Sequence, residues 1–453
     1  MKNELKEKYG LFTAISMVVG IVIGSGVFFK AEKVLTATNG NLPLGILAWL
    51  LGGLIMMVCA YSFATLATRY KGVNGVVDYA ESVVGKPYAY IISWFVTFIY
   101  YPAITSVLAW VSARYTGTLF GCAPNDVNVM IISFAYMIIF YALNTLSPLI
   151  AGKFQVATTV IKLIPLLLMA VIGTVVGLSN GMTLQNFTTE VSAPKGGYLT
   201  AMFSALVASA FAYDGWIVAT SINAEIKNSK RNLPIALILG TGIIVIVYIL
   251  YYVGLAGSVP NAELMGSGEQ GVKLAFEKIF GSIGGVGLYV LVIISCLGTL
   301  NGLMVATTRS VYSMAARNRG IKPKMMSEVS ETTNMPLNAS IIGLLAAMFW
   351  LLFFYGANLA PVSWFGKFGF DSSELPIITL YGMYIPIYFM ITIKEKDLGF
   401  VKRFVMPSLA IICSMFMMVA AVFSHKISTL WYLIVFAVIM LLSIPFYKAK
   451  KKD

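Results

Sequence analysis

A chain of 453 residues, 58% hydrophobic and only 11% charged, falls outside the soluble globular class. Apolar runs of roughly 20 residues recur from end to end, each long enough to cross a bilayer, and no long polar stretch remains for a separate soluble domain. The formal charge of +13 does not mark a nucleic-acid protein, because the lysines and arginines lie in short loops between apolar runs, mostly in every second loop, as the positive-inside rule describes. Cys59, Cys122, Cys296 and Cys413 are scattered and form neither a metal spacing nor a disulfide framework. His425 is the only histidine, so no metal, no cofactor and no histidine-based catalysis are expected.

In chain order, a basic tail of residues 1–8 precedes a first span at 11–29. No small-residue cleavage site follows that span, so it reads as a retained span and not as a signal peptide. The second span covers 44–67. Residues 72–85, flanked by Arg69, Lys71 and Lys86, are too polar to cross and read as an interfacial piece. The next spans fall at 88–115, 127–146, 154–178, 199–224 and 235–259. Residues 261–278 carry mixed charge and read as a surface helix. Spans eight to twelve follow at 286–315, 339–355, 362–393, 404–423 and 430–447. Twelve spans place both termini on one side, and the basic loops that share this side mark it as cytoplasmic.

Two spans are anomalous. The first carries Gly20, Gly24 and Gly26 with Ser25 between the last two. Glycine in a helix interior costs about 1 kcal/mol relative to alanine, so the cluster is either a close-packing seam or a deliberate break, which survives in a membrane only when buried in protein or lining a cavity. The sixth carries Asp214-Gly215 in mid-span. An aspartate at a helix centre costs about 2.5–3.5 kcal/mol on insertion scales and is a functional-site hypothesis by default; the alternative is a carboxylate that only caps the following half-helix. Interrupted helices five spans apart point to a transporter built of two inverted repeats with a site near the midplane. Broken helices expose peptide N–H groups at one half-helix end and free carbonyls at the other. A zwitterionic amino acid offers one charge to each. Lys162 is a third oddity, about 12 Å into the fifth span at 1.5 Å per residue. Such a lysine faces the bundle interior or a watery cavity, or else snorkels.

Four elements, Gly24-Ser25-Gly26-Val27-Phe28, Phe211-Ala212-Tyr213-Asp214-Gly215-Trp216, Asn232-Leu233-Pro234, and the stretch from Leu300-Asn301-Gly302 through Arg309, Tyr312, Arg317 and Gly320 to Pro323, occur in that order. With them the chain resembles the amino acid–polyamine–organocation superfamily, and within it the bacterial L-type amino acid transporters, over nearly its whole length. The resemblance implies an all-α membrane fold of leucine-transporter type. A 5+5 inverted repeat (about 11–179 and 199–393) would be followed by two extra helices (about 404–447). It implies amino acid exchange by alternating access, with the substrate carboxylate at Gly24, Ser25 and Gly26. The ammonium would meet the carbonyls of Val22, Phe211, Ala212 and Asp214, with Ile23 in the same unwound segment. Phe211 would be a gate over the site and Tyr248 a second gate residue, although an ordinary buried tyrosine fits Tyr248 as well. Lys162 would stand where related transporters hold sodium and brace the first span.

Small neutral substrates such as alanine, serine or cysteine are the first expectation. Cationic substrates are the second, through Asp214; Glu374 could join it if the tenth span is broken there. Proton-coupled symport through Lys162 or Asp214 is an alternative. A membrane-embedded enzyme lacks the clustered acids, histidines or metal ligands such chemistry uses. Eukaryotic relatives of this type pair with a glycoprotein through a cysteine between the third and fourth spans. Cys122 falls there, but the compact loops look bacterial and no heavy-chain partner is expected. The expected partners are an amino acid and the lipid bilayer, with no nucleic acid.

Overall fold

The computed structural model describes residues 7–123, 126–189, 191–194, 196–267, 270–372 and 374–447. Most of the basic N-terminal tail and the lysine run from Lys448 lie outside the described residues. Among the described residues all regular structure is helical, apart from one isolated parallel bridge between Tyr9 and Ile226. Eleven helices there are long and apolar enough to cross a membrane.

The first span is two helices, α1 (Leu11–Val22) and α2 (Gly26–Ala37). Next come α3 (Leu42–Arg69), the short α4 (Gly75–Val83), α5 (Lys86–Leu119), α6 (Val127–Leu146) and α7 (Pro148–Ser179). The sixth span begins as α8 (Gly197–Ala212) and continues, after a turn, as a 3₁₀ segment over Trp216–Glu225. α9 (Ser229–Leu255), α10 (Ser282–Ala316), α11 (Leu337–Asn358), α12 (Leu375–Lys394), α13 (Val401–His425) and α14 (Ile427–Leu441) complete the bundle. The polar stretch after α9 forms two short helices, Asn261–Gly266 and Gln270–Phe280.

The broken elements sit at the centre. α1 packs against α7, α9 and α10, and α2 packs against α8. The fit is close where side chains are missing. A Cβ on Gly20 would lie 2.0 Å from Thr159 Oγ1, and one on Gly298 would lie 2.3 Å from Thr158 Oγ1. α1 and α10 can therefore approach α7 only through glycine.

Two span boundaries are corrected. The tenth span starts at Leu375, not at 362, so Glu374 stands at the N-terminus of α12 and not at a mid-membrane break. In the preceding segment Phe370 is buried on Phe353, Trp350 and Tyr432, while Val362, Trp364 and Phe368 are exposed. Within residues 72–85, α4 is buried in protein along most of its length, with Asp78 paired to Arg317. The fifth span begins at Pro148, six residues before Phe154, which puts Lys162 about 21 Å into the helix.

One end of the bundle is latched by charge. Arg309 Nε lies 2.6 Å from Glu225 Oε1, both essentially fully buried, and Lys8 Nζ lies 3.0 Å from Glu225 Oε2. The backbone at Tyr9 joins in, since Lys8 and Tyr9 N–H donate to Glu225 O and Lys227 N–H donates to Tyr9 O. Arg317 binds Asp78 and, at 2.7 Å, Glu81.

Candidate functional site

The first span unwinds over residues 23–25. Ile23 is extended (φ −74°, ψ 92°), and α2 restarts at Gly26 without a side-chain cap. Phe28 N–H donates to Ser25 O at 3.2 Å; the first N–H groups of a helix have no partner within the helix itself. The sixth span breaks at Tyr213–Gly215, where Gly215 takes φ +102°. Only glycine adopts that conformation without strain. The two breaks touch. A Cβ on Gly26 would lie 2.8 Å from Ala212 Cα, and one on Gly215 would lie 2.9 Å from Ile21 Cγ2.

Between them is a cavity of about 30 Å³ lined by Val22, Gly24, Ser25, Gly26, Phe211 and Asp214, with Ile104, Leu108 and Leu303 as apolar walls. That is room for one or two waters, so a larger solute enters only by moving a lining side chain. Phe211, Ser25 and Gly26 also line an outer vestibule of about 160 Å³ on the side away from the chain ends. Phe211 thus belongs to the walls of both cavity and vestibule. Lys30 Nζ stands 4.9 Å from the ring centroid and pairs with Glu374, whose other oxygen lies 3.0 Å from His425 Nε2.

The free carbonyls of α1 are held from three sides. Lys162, fully buried, donates to Gly20 O, to Ile23 O at 2.6 Å and to Thr299 Oγ1 at 3.1 Å. All three ammonium hydrogens are thereby used. Ser295 Oγ lies 3.3 Å from both Ile23 O and Gly24 O. Tyr248 Oη lies 3.2 Å from Val22 O and 3.0 Å from Ala212 O, bridging the two breaks.

The expected contact residues divide between the cavity lining and its surroundings. Ile23 and Ala212 do not line the cavity: the Ile23 carbonyl belongs to Lys162, and the Ala212 carbonyl accepts from Tyr248. Tyr248 also lies outside the lining, with its ring against Trp49 and Tyr213 and its hydroxyl beside Val22 O. Cys122 is a partly buried free thiol. Among the described residues no three His, Cys, Asp or Glu side chains gather as a metal site.

Sequence reasoning missed Tyr100. A π-helical turn at Val96–Tyr100 in α5 carries it, and its hydroxyl lies 2.7 and 2.9 Å from the two Asp214 carboxylate oxygens. One extra residue in a helical turn is a common device at functional sites, but its signature in sequence is weak. Hydrogen bonds to a carboxylate contribute roughly 1.5–3 kcal/mol. Tyr100→Phe is therefore expected to weaken substrate binding by about tenfold or more, as measured by thermal-shift titration of the purified protein. Unchanged affinity would remove Asp214–Tyr100 from the site. Glu225 and Arg309 were also not singled out as a pair, because their contact joins distant parts of the chain.

Residues 9–444 match the family model described as amino acid permease. The chain is 29% identical over 434 residues to the serine/threonine exchanger SteT of Bacillus subtilis (strain 168), covering 94% of this chain and 93% of that protein. It is 27% identical over 440 residues to the human b(0,+)-type amino acid transporter 1, covering 96% and 86%. Against the human cystine/glutamate transporter it is 28% identical over 343 residues, covering 75% and 67%. With the family match running almost from end to end, the chain belongs to the amino acid permease family of the amino acid–polyamine–organocation superfamily, and is a transporter and not an enzyme.

Proposed function

We propose that this permease is a sodium-independent exchanger of small neutral L-amino acids in the cell membrane. The observation that carries the reading is Lys162. Its ammonium occupies the carbonyl and hydroxyl cluster where α1 meets α10, so a fixed charge sits where a coupling cation would otherwise bind. The substrate carboxylate is assigned to the N–H groups at the start of α2 and the Ser25 hydroxyl. The ammonium is assigned to carbonyls at Val22 and Phe211 and to Asp214. The apolar walls at Ile104, Leu108 and Leu303 suit a short apolar or hydroxylated side chain once a lining side chain has moved to admit it. Asp214 is engaged by Tyr100, which favours a neutral substrate over a cationic one. The names of the relatives, an exchanger among them, support exchange.

The two broken spans are read as counterparts in a 5+5 inverted repeat, with α1 and α2 together forming one of twelve crossings. Phe211 closes the site from the vestibule. The Glu225–Arg309–Lys8 latch closes the opposite side, which the basic loops mark as cytoplasmic. The chain is expected to work without a heavy-chain partner.

The test uses the purified chain alone in liposomes. Labelled alanine or serine should enter vesicles loaded with unlabelled amino acid severalfold faster than empty ones, equally in sodium and in choline buffer. Uptake that ignores internal substrate, or that needs a sodium or proton gradient, sinks the reading.

A further inference from the structure

The outer wall of the bundle carries a groove of about 670 Å³ between α5, α11 and α14. That size is within the range of small-molecule sites, roughly 300–1,000 Å³. Its walls include Phe98 from α5, Leu345 and Phe349 from α11, and Val435 and Val438 from α14. The two indoles in the wall have already spent their donors. Trp94 Nε1 donates to Ile439 O at 3.0 Å, and Trp350 Nε1 donates to Phe98 O at 2.7 Å. The groove therefore offers apolar surface alone, which suits a hydrocarbon chain and no polar solute.

One end differs. Phe98, Ile321 and Ile342 also line a small adjoining cavity whose wall includes Arg319. The Arg319 guanidinium sits 4.6 Å from the Tyr447 ring centroid and 5.7 Å from that of Tyr90, and it donates to Lys86 O at 2.7 Å. It has no carboxylate partner among the described residues. The nearby acids Asp78 and Glu81 are both taken by Arg317. Gly320 N–H donates to Phe446 O at 3.1 Å and ties this loop to the end of the groove. Lys86, and Lys322 and Lys324 in the same loop, are exposed. An apolar slot that ends in an aromatic-backed cation with spare donors is complementary to a lipid with a negative headgroup. Basic pockets between helices at the membrane surface bind such headgroups.

We propose that this groove is a binding site for one anionic phospholipid, with an acyl chain between α5, α11 and α14 and the phosphate on Arg319. The transport reading above is not needed for this, and the test does not depend on transport. The purified full-length protein is melted in detergent with phosphatidylglycerol, phosphatidylcholine or glycerol phosphate, and retained lipid is counted by native mass spectrometry. Phosphatidylglycerol should be retained with one-to-one stoichiometry and raise the melting temperature more than phosphatidylcholine, while glycerol phosphate does nothing. Arg319→Gln should remove the preference for the anionic lipid, and Arg319→Lys should keep part of it. Ala346→Trp, which fills the groove and leaves Arg319 intact, should lower phosphatidylglycerol retention severalfold; this variant decides the matter if Arg319→Gln does not fold. Equal retention of both lipids, a preference unchanged in Arg319→Gln, phosphatidylglycerol retention unchanged in Ala346→Trp, stabilisation by glycerol phosphate alone, or a protein dimer that closes this face without lipid would each overturn the proposal.

Discussion

Gly26→Val is expected to abolish amino acid binding while the protein still inserts and purifies as a monodisperse species. Even the first added carbon would lie 2.8 Å from Ala212 Cα and 3.2 Å from Phe211 Cδ1. The Phe211 ring can swing, but Ala212 cannot yield cheaply, because it is backbone at the end of α8 and its carbonyl is engaged by Tyr248. Overpacking of this kind costs typically 1–3 kcal/mol, and the upper part of that range corresponds to about 100-fold in affinity. The cost falls on the junction of the two breaks, where the substrate carboxylate is assigned, and not on the membrane-facing surface. Binding should be read by thermal-shift or scintillation titration, alongside Gly287→Val as a control, since a Cβ at Gly287 meets nothing within 4 Å. Transport by Gly26→Val at the parental rate would refute this assignment of the stretch.

How far such a site is legible in advance depends on what kind of residue marks it. Gly24-Ser25-Gly26 and Asp214-Gly215 stand out because each is expensive in a membrane helix and must be repaid by local structure. Lys162 stands out for the same reason. Tyr100 does not, because a tyrosine is cheap at any depth and its role rests on a π-turn that re-aims it towards Asp214. Composition was also a poor guide where burial and helix formation part company. Residues 362–372 hold several large apolar side chains yet form no span, and of these Phe370 is buried on α11 and α14 while Val362, Trp364 and Phe368 are exposed, whereas α4 is buried with Arg317 paired to its Asp78. An apolar run alone does not separate these cases. Which carbonyls Lys162 braces required the structure, Gly20 O and Ile23 O, and so did the engagement by Tyr248 of Ala212 O, which sequence reasoning had left to the substrate.

Lys162→Ala is expected to lower exchange by about 100-fold or more. Removing the ammonium leaves Gly20 O and Ile23 O without their strongest donor in a site closed to water, at roughly 1–3 kcal/mol for each unsatisfied group. Thr299 and Ser295 can cover part of the loss, because their hydroxyls already lie 3.2–3.3 Å from the same carbonyls. What remains is a small hole lined by two carbonyls and two hydroxyls, an all-oxygen donor set of the kind hard cations prefer. Sodium should therefore restore part of the exchange in Lys162→Ala, in a saturable manner, while leaving the parent protein unaffected. Lys162→Met separates charge from volume: it fills the same space without a donor and should be equally inactive but deaf to sodium. The discriminating measurement is initial exchange rate against sodium concentration for the three proteins. If Lys162→Met exchanges as well as the parent, the lysine is only packing and the cation-surrogate reading fails. If neither variant exchanges at any sodium concentration, the charge is required and its position cannot be taken over by a freely exchanging ion, which would make Lys162 part of the moving helix contact itself.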